Sequence, residues 1–273
     1  MTEDPGHVPG TASSRPGGGA FPPVPALHAT GLRRSFGGTV AVDGVDLLVP
    51  AGSFFGVVGP NGAGKSTSLL MAVGLLRPDA GTARIFGVDV WADPVRAKRM
   101  VGVLPDGLAL PERLTGRELL HYLGRLDGLD GASAARRADD LLRLFGLDGT
   151  GRTAVGEYST GMRKKIGLAT ALLNAPRLLV LDEPFEAVDP VSGAVIRGLL
   201  ERFVADGGSV VLSSHSMSLV EELCDRVAVI VAGRTAREGT LDEVRRGESL
   251  HDAFAGLLGA STANVEMPAW LRR

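Results

Sequence analysis

The sequence predicts an α/β fold of three layers with a helical lobe inserted in it, and three observations carry that prediction. An apolar run at 54–58 leads through a glycine-rich loop into a helical pattern. Further apolar runs recur at 178–181, 209–212 and 226–231, and the stretch at about 108–165 reads as helix only. With 273 residues, 44% of them hydrophobic, the chain is long enough for one sizeable core, or for one core with a lobe attached.

Residues 1–26 are mostly Gly, Pro, Ser and Thr and lack the basic start and apolar run of a secretory signal. They are expected to form a disordered tail. Short β-like runs separated by turn signals at 32–48 predict a small β portion ahead of Gly59. The run at 54–58 suits a buried parallel strand, and a helix is expected over 65–76, ended by Arg77-Pro78-Asp79-Ala80-Gly81. Residues 101–105 are strand-like. In the lobe, Thr115 and Glu118 have capping-box spacing, and Leu119, Leu120, Leu123 and Leu126 then mark one helical face. A second amphipathic helix is expected at about 133–145. The expected organisation is a tail over 1–26, one α/β domain over 27–246 with its helical subdomain at about 108–165, and a C-terminal helix and tail over 247–273.

Composition narrows the function. Lys and Arg total 29 against 31 Asp and Glu, so no net positive field exists to hold a phosphate backbone, and nucleic acid is not an expected partner. Cys224 is the single cysteine, which rules out an internal disulfide and fits a reducing compartment. The longest apolar candidate, 166–181, is interrupted by Asn174, Pro176 and Arg177, so no membrane-spanning segment is expected.

Two motifs carry chemistry by themselves. Gly59-Pro60-Asn61-Gly62-Ala63-Gly64-Lys65-Ser66-Thr67 contains the phosphate-loop pattern of glycine, four residues, Gly-Lys and a hydroxyl residue. Its glycines let backbone amides wrap phosphates at the positive start of a helix. Lys65 suits the β- and γ-phosphates of ATP, and the Ser66 hydroxyl suits Mg²⁺. The rival reading, an ordinary glycine turn, does not call for a strand before and a helix after. Leu178-Leu179-Val180-Leu181-Asp182-Glu183 is an apolar strand ending in two carboxylates, Asp182 suited to Mg²⁺ and Glu183 to polarising the attacking water. A bland strand terminus would look the same without the phosphate loop upstream.

From about 32 to 240 these residues resemble the ABC (ATP-binding cassette) ATPases. Tyr158-Ser159-Thr160-Gly161-Met162 stands where that family carries Leu-Ser-Gly-Gly-Gln, departing at three positions but keeping Ser159 and Gly161. It looks like the variant of cassettes paired with drug-export or ABC-2-type permeases. The resemblance implies that Ser159, Thr160 and Gly161 face the γ-phosphate held by a second ABC ATPase subunit, a homodimer being expected. It implies that His215 contacts the γ-phosphate and that Asp189, in Val188-Asp189-Pro190, crosses the dimer interface, with Ala187 where glycine is usual. Phe36 matches the aromatic that stacks on adenine, against the plainer reading of a core or surface phenylalanine.

The resemblance further implies a P-loop NTPase core with a small antiparallel β subdomain and the helical subdomain. It also implies ATP hydrolysis driving transport through a separate membrane permease, with the chain cytoplasmic and peripheral on the inner face of the membrane. One departure stands out: Asp106 follows Pro105 where the family has a glutamine touching Mg²⁺ and water. Two readings of Asp106 stay open, as a metal-site substitute or as a side chain turned to solvent. Leu108, Ala109 and Leu110 next to it read either as a docking surface for the permease or as packing under the lobe. A soluble ABC ATPase outside transport is the alternative function; it usually carries zinc-cysteine insertions, coiled coils or two cassettes. A module that binds ATP without turnover would be expected to lack Glu183 or His215.

Overall fold

The structure is a computed structural model describing residues 24–257. The tail expected over 1–26 lies outside the described residues except for 24–26, of which Ala26 is already buried and bonded to Val49. The final residues, 258–273, also lie outside them.

The chain runs β1 (Leu27–Phe36), β2 (Thr39–Val49), β3 (Phe54–Val58), α1 (Lys65–Ala72), β4 (Ala80–Ile85), β5 (Val88–Asp89), α2 (Pro94–Lys98) and β6 (Val101–Leu104). The lobe contributes α3 (Gly116–Leu126) and α4 (Gly131–Leu144). Then come α5 (Thr160–Leu172), β7 (Leu178–Asp182), α6 (Pro190–Ala205), β8 (Ser209–Ser214), α7 (Met217–Leu223), β9 (Arg226–Val231), β10 (Arg234–Thr240), α8 (Leu241–Arg245) and α9 (Leu250–Leu257).

One sheet has the order β10-β9-β3-β8-β7-β6, parallel except for the antiparallel edge pair β9-β10. Its central strands are apolar on both faces because both are covered. Alternation splits them between two cores: Phe54, Val58, Leu179, Leu181, Val210, Leu212, Val227 and Val229 face the helical side. Phe55, Val57, Leu178, Val180, Val211, Ala228 and Ile230 face a core shared with α1 and the second sheet. These two cores separated by one sheet are the three layers. Full burial of each large side chain contributes about 1.5–3 kcal/mol. Cys224 is buried in the helical-side core, and burial there pushes its thiol pKa up.

The second sheet is antiparallel, as expected, with the order β2-β1-β4-β5. Its location corrects the sequence reading: only β1 and β2 precede Gly59, and the other half returns from beyond α1. The helix predicted over 65–76 ends at Ala72, because Gly74 takes φ +73° and lies so close to Val90 that a Cβ would meet its Cβ at 3.1 Å. In the lobe the Thr115–Glu118 capping box forms as read, and Leu119 and Leu120 are fully buried. Leu126, expected on the same face, is 65% exposed: it is the last residue of α3, and α4 packs at Gly124 instead. No helix among the described residues is long and apolar enough to cross a membrane.

Candidate functional site

Four of the segments read for chemistry leave the carboxyl ends of parallel strands. The phosphate loop follows β3, His215 follows β8, Asp182 ends β7 with Glu183 next, and Asp106 follows β6. Those strands are consecutive neighbours in the sheet, so segments far apart in sequence converge on one crevice. A cavity of about 640 Å³ sits there, lined by residues 61–67 together with Phe36, Ala41, Asp106, Glu183, Glu186 and His215.

The loop packs against β9 and β2 through close approaches that only glycine permits. A Cβ on Gly59 would meet the Ile230 carbonyl oxygen at 2.3 Å. One on Gly64 would meet the Ala41 carbonyl at 2.6 Å, and Gly64 has φ +98°. Gly64 caps α1 without a side-chain bond, and the first turn of α1 holds no acidic residue. Its amides therefore remain available to an anion. Lys65 is 7% exposed and its ammonium donates to the carbonyls of Gly59 at 2.8 Å and Pro60 at 3.2 Å. Gly59 and Pro60 thus act from behind the loop, while Asn61, Gly62, Ala63, Gly64, Lys65, Ser66 and Thr67 form the wall.

Glu183 is fixed at three points. Its amide donates to Ser213 Oγ at 2.9 Å, its carbonyl accepts from Lys164 Nζ at 2.9 Å and from the Glu186 amide at 3.2 Å, and its Oε2 lies 3.0 Å from His215 Nδ1. Its backbone is left-handed, φ +47°, a conformation that costs a non-glycine residue about 1–2 kcal/mol. Asp182 is 5% exposed and accepts a hydrogen bond from Ser213 Oγ, so one serine organises both carboxylate residues. Among the described residues no cluster of three or more His, Cys, Asp or Glu could hold a metal alone. The donor set here, the Ser66 hydroxyl and a buried carboxylate at Asp182, fits Mg²⁺ held jointly with phosphates.

Phe36 is 47% exposed at the cavity edge with the Arg34 guanidinium 5.1 Å from its ring centroid, so it is no core residue. Asp106 lines the cavity and lies 3.7 Å from Lys164 Nζ, half exposed. Ser159, Thr160, Gly161 and Asp189 do not line this cavity. Ser159 caps α5 by accepting from the Met162 amide at 3.3 Å. Asp189 caps α6, and a Cβ on Gly161 would lie 3.3 Å from Asp189 Oδ2, so these residues form a separate patch. Hydrogen bonds from Ser192 hold the Asp189 carboxyl below the usual range.

Sequence reasoning missed Ala41, Glu186 and Lys164. Glu186 had a signal in its nearness to Asp182-Glu183; Ala41 and Lys164 arrive from other elements and had none. Beside the cavity, Leu108 and Leu110 are half-buried against the core and line a neighbouring cleft of about 430 Å³ between the Asp106 loop and α5.

The family model described as "ABC transporter" matches residues 42–186. The daunorubicin/doxorubicin resistance ATP-binding protein DrrA of Streptomyces peucetius is 42% identical over 258 residues, covering 92% of this chain and 78% of that one. The Nod factor export ATP-binding protein I of Rhizobium sp. (strain N33) is 38% identical, covering 85% of this chain and 77% of its own length. Among solved structures, an ATP-binding subunit of an ABC transporter superposes with a TM-score of 0.79 at 30% identity, over 85% of this chain and 99% of that one. A dimeric ATP-binding cassette in a post-hydrolysis state, bound to ADP and Pi, has a TM-score of 0.72 over 79% of this chain and 98% of its own; at 24% identity it bears on the fold alone.

Proposed function

The chain belongs to the ABC transporter family as an ATP-binding, ATP-hydrolysing subunit that powers transport, and from that premise we propose which of its residues do the work. One observation carries this reading: Glu183, in a strained backbone and tied to His215, opens onto the same cavity as the phosphate loop. Strain at a cavity wall is where function is expected.

The amides at the start of α1 and the Lys65 ammonium bind the phosphate chain, and Phe36 offers a ring to the adenine. Mg²⁺, when bound with the nucleotide through Ser66 and Asp182, would neutralise phosphate charge. Glu183 accepts a hydrogen bond from the attacking water and orients it, while His215 keeps the carboxylate pointed into the cavity. The protein's contribution is positioning and fixed charge, which phosphoryl transfer chiefly requires.

Ser159, Thr160, Gly161 and Asp189 act across a dimer, closing over the nucleotide of a second copy. They are exposed or half-buried and stand apart from the chain's own cavity, which suits a role completed by a partner. The permease docks at the cleft beside Asp106, with Leu108 and Leu110 as apolar contacts, and holds the chain at the cytoplasmic face of the membrane. Relatives named for drug resistance and Nod factor export support an exporter.

Glu183→Gln should keep ATP binding but lose turnover by about 100-fold or more, since only the water-orienting carboxylate is removed. It should also form a stable dimer with ATP on a sizing column. Steady-state hydrolysis near the wild-type rate would remove Glu183 from this role. Replacing Leu108 and Leu110 with serine should free the chain from membranes that carry its permease while ATP binding and the melting temperature are checked in parallel. Continued association of a folded variant would place docking elsewhere.

A further inference from the structure

Lys164 lies on α5, five residues beyond the helix cap at Ser159, and its side chain is only 15% exposed. Its ammonium bonds the Glu183 carbonyl at 2.9 Å and lies 3.7 Å from Asp106 Oδ1. Three pieces of chain thus meet on one cation: the loop after β6, helix α5 and the end of β7. We propose that Lys164 is a positioning residue for ATP hydrolysis. It cancels the charge of Asp106 at the wall of the nucleotide cavity, and it holds Glu183 in the left-handed conformation that aims its carboxylate at His215. This inference rests on the hydrolytic role assigned to Glu183 above.

Charge sets the first half of the role. Asp106 lines the cavity meant for a triphosphate, and an uncompensated carboxylate there would repel it. The lysine supplies the opposite charge from the side away from the loop. Because Asp106 is 55% exposed, the ion pair alone adds little to the stability of the fold. Its effect falls on the polyanion sharing the cavity.

Geometry sets the second half. A glutamate does not hold φ +47° by preference; the surrounding structure must impose it. The Ser213 hydroxyl anchors the amide on one side of Glu183, and Lys164 anchors the carbonyl on the other. An ammonium carries three donors, enough to serve the carbonyl and Asp106 together. Without it, the Glu183 carbonyl keeps only the 3.2 Å bond from the Glu186 amide within the same turn, and the carboxylate drifts from His215 and from the water it orients.

The two halves separate in kinetics. Steady-state hydrolysis and ATP affinity are measured for wild type, Lys164→Arg, Lys164→Met, Asp106→Asn and the pair Asp106→Asn with Lys164→Met, with melting temperatures alongside. Lys164→Met should lower kcat by roughly 10- to 100-fold, the scale of a displaced catalytic group, and raise KM for ATP several-fold. Adding Asp106→Asn should return KM to within about twofold of wild type and leave kcat low, because the repelling charge is gone and the lost carbonyl bond is not replaced. Lys164→Arg, which keeps charge and donors, should stay within about threefold of wild type in both.

A merely structural lysine would shift melting temperature, KM and kcat together, whatever occupies position 106. A folded Lys164→Met with wild-type kcat, or a raised Lys164→Met KM that adding Asp106→Asn leaves unchanged, overturns the proposal. Should Lys164→Met fail to fold, Lys164→Gln is read the same way. Wild type and Glu183→Gln run in the same assay: if they turn over alike, the role of Glu183 itself has failed, independently of Lys164.

Discussion

Two helices in this chain begin at places proposed to meet phosphate, and they begin differently. α1 starts at Gly64 with no side-chain cap, on the wall of a cavity, with Lys65 buried behind it. α5 starts at Ser159, which satisfies the Met162 amide itself, on an exposed patch beside Asp189. The first start is left unsatisfied by its own chain, with neither a side-chain cap nor an acidic residue in its first turn. The second is already satisfied within its own chain. In the proposed dimer, each protomer thus offers the receiving half of one nucleotide site and the closing half of the other.

The contrast breaks most visibly at Lys65. Lys65→Ala removes up to two charge-assisted bonds to phosphate, each worth about 1.5–3 kcal/mol, so ATP affinity of the isolated chain should fall by roughly 100-fold. Equilibrium binding of a fluorescent ATP analogue measures it, and an unchanged affinity would mean the loop does not hold the phosphates. Ser159→Arg tests the other half. It should leave the isolated chain's ATP affinity within about twofold of wild type while abolishing hydrolysis and the ATP-dependent dimer, since an arginine there obstructs only the facing surface. Weakened binding in the monomer would erase the distinction between the halves.

Smaller effects sharpen the same comparison. Ser159→Ala removes a helix cap and should cost about 1 kcal/mol, a melting shift of about 2–4 °C for a chain of this size. No comparable loss is available at α1, which has no such cap to remove. Smallest is the acid limb. Ser192 holds the Asp189 carboxyl below its ordinary value of 3.8, so its contribution is fully present above that value and is lost as pH falls through the lowered folded pKa. In Asp189→Asn the melting temperature should decline less between about pH 4 and pH 2 than in wild type. Parallel declines would show that the cap does not titrate with folding.

The receiving half was legible in the sequence because its parts are local. A strand, a loop and a helix follow one another within 54–72, and each carries its own pattern of apolar residues and glycines. The strand that ends in Asp182 and Glu183 was equally plain, since burial on both faces writes a continuous apolar run. What stayed hidden depends on pairing at a distance. β4 crosses back to β1 after α1, and nothing in 80–85 announces that partner. Lys164 meets Glu183 across 19 residues and Asp106 across a longer gap, through the packing of α5 under β6, so its role has no sequence signature. Leu126 misled because helical spacing identifies a face but not where the covering element stops.

Cys224 is the chain's single thiol, and burial both hides it and keeps it protonated. Thiolate-directed reagents need an exposed, ionised sulfur, so the native chain behaves toward them as though it had none. A cysteine installed at Asn61 in one copy and at Ser159 in another would then be the sole reactive pair. Whether a disulfide joins them only when ATP is added would report, without any change to the rest of the molecule, which helix start faces which.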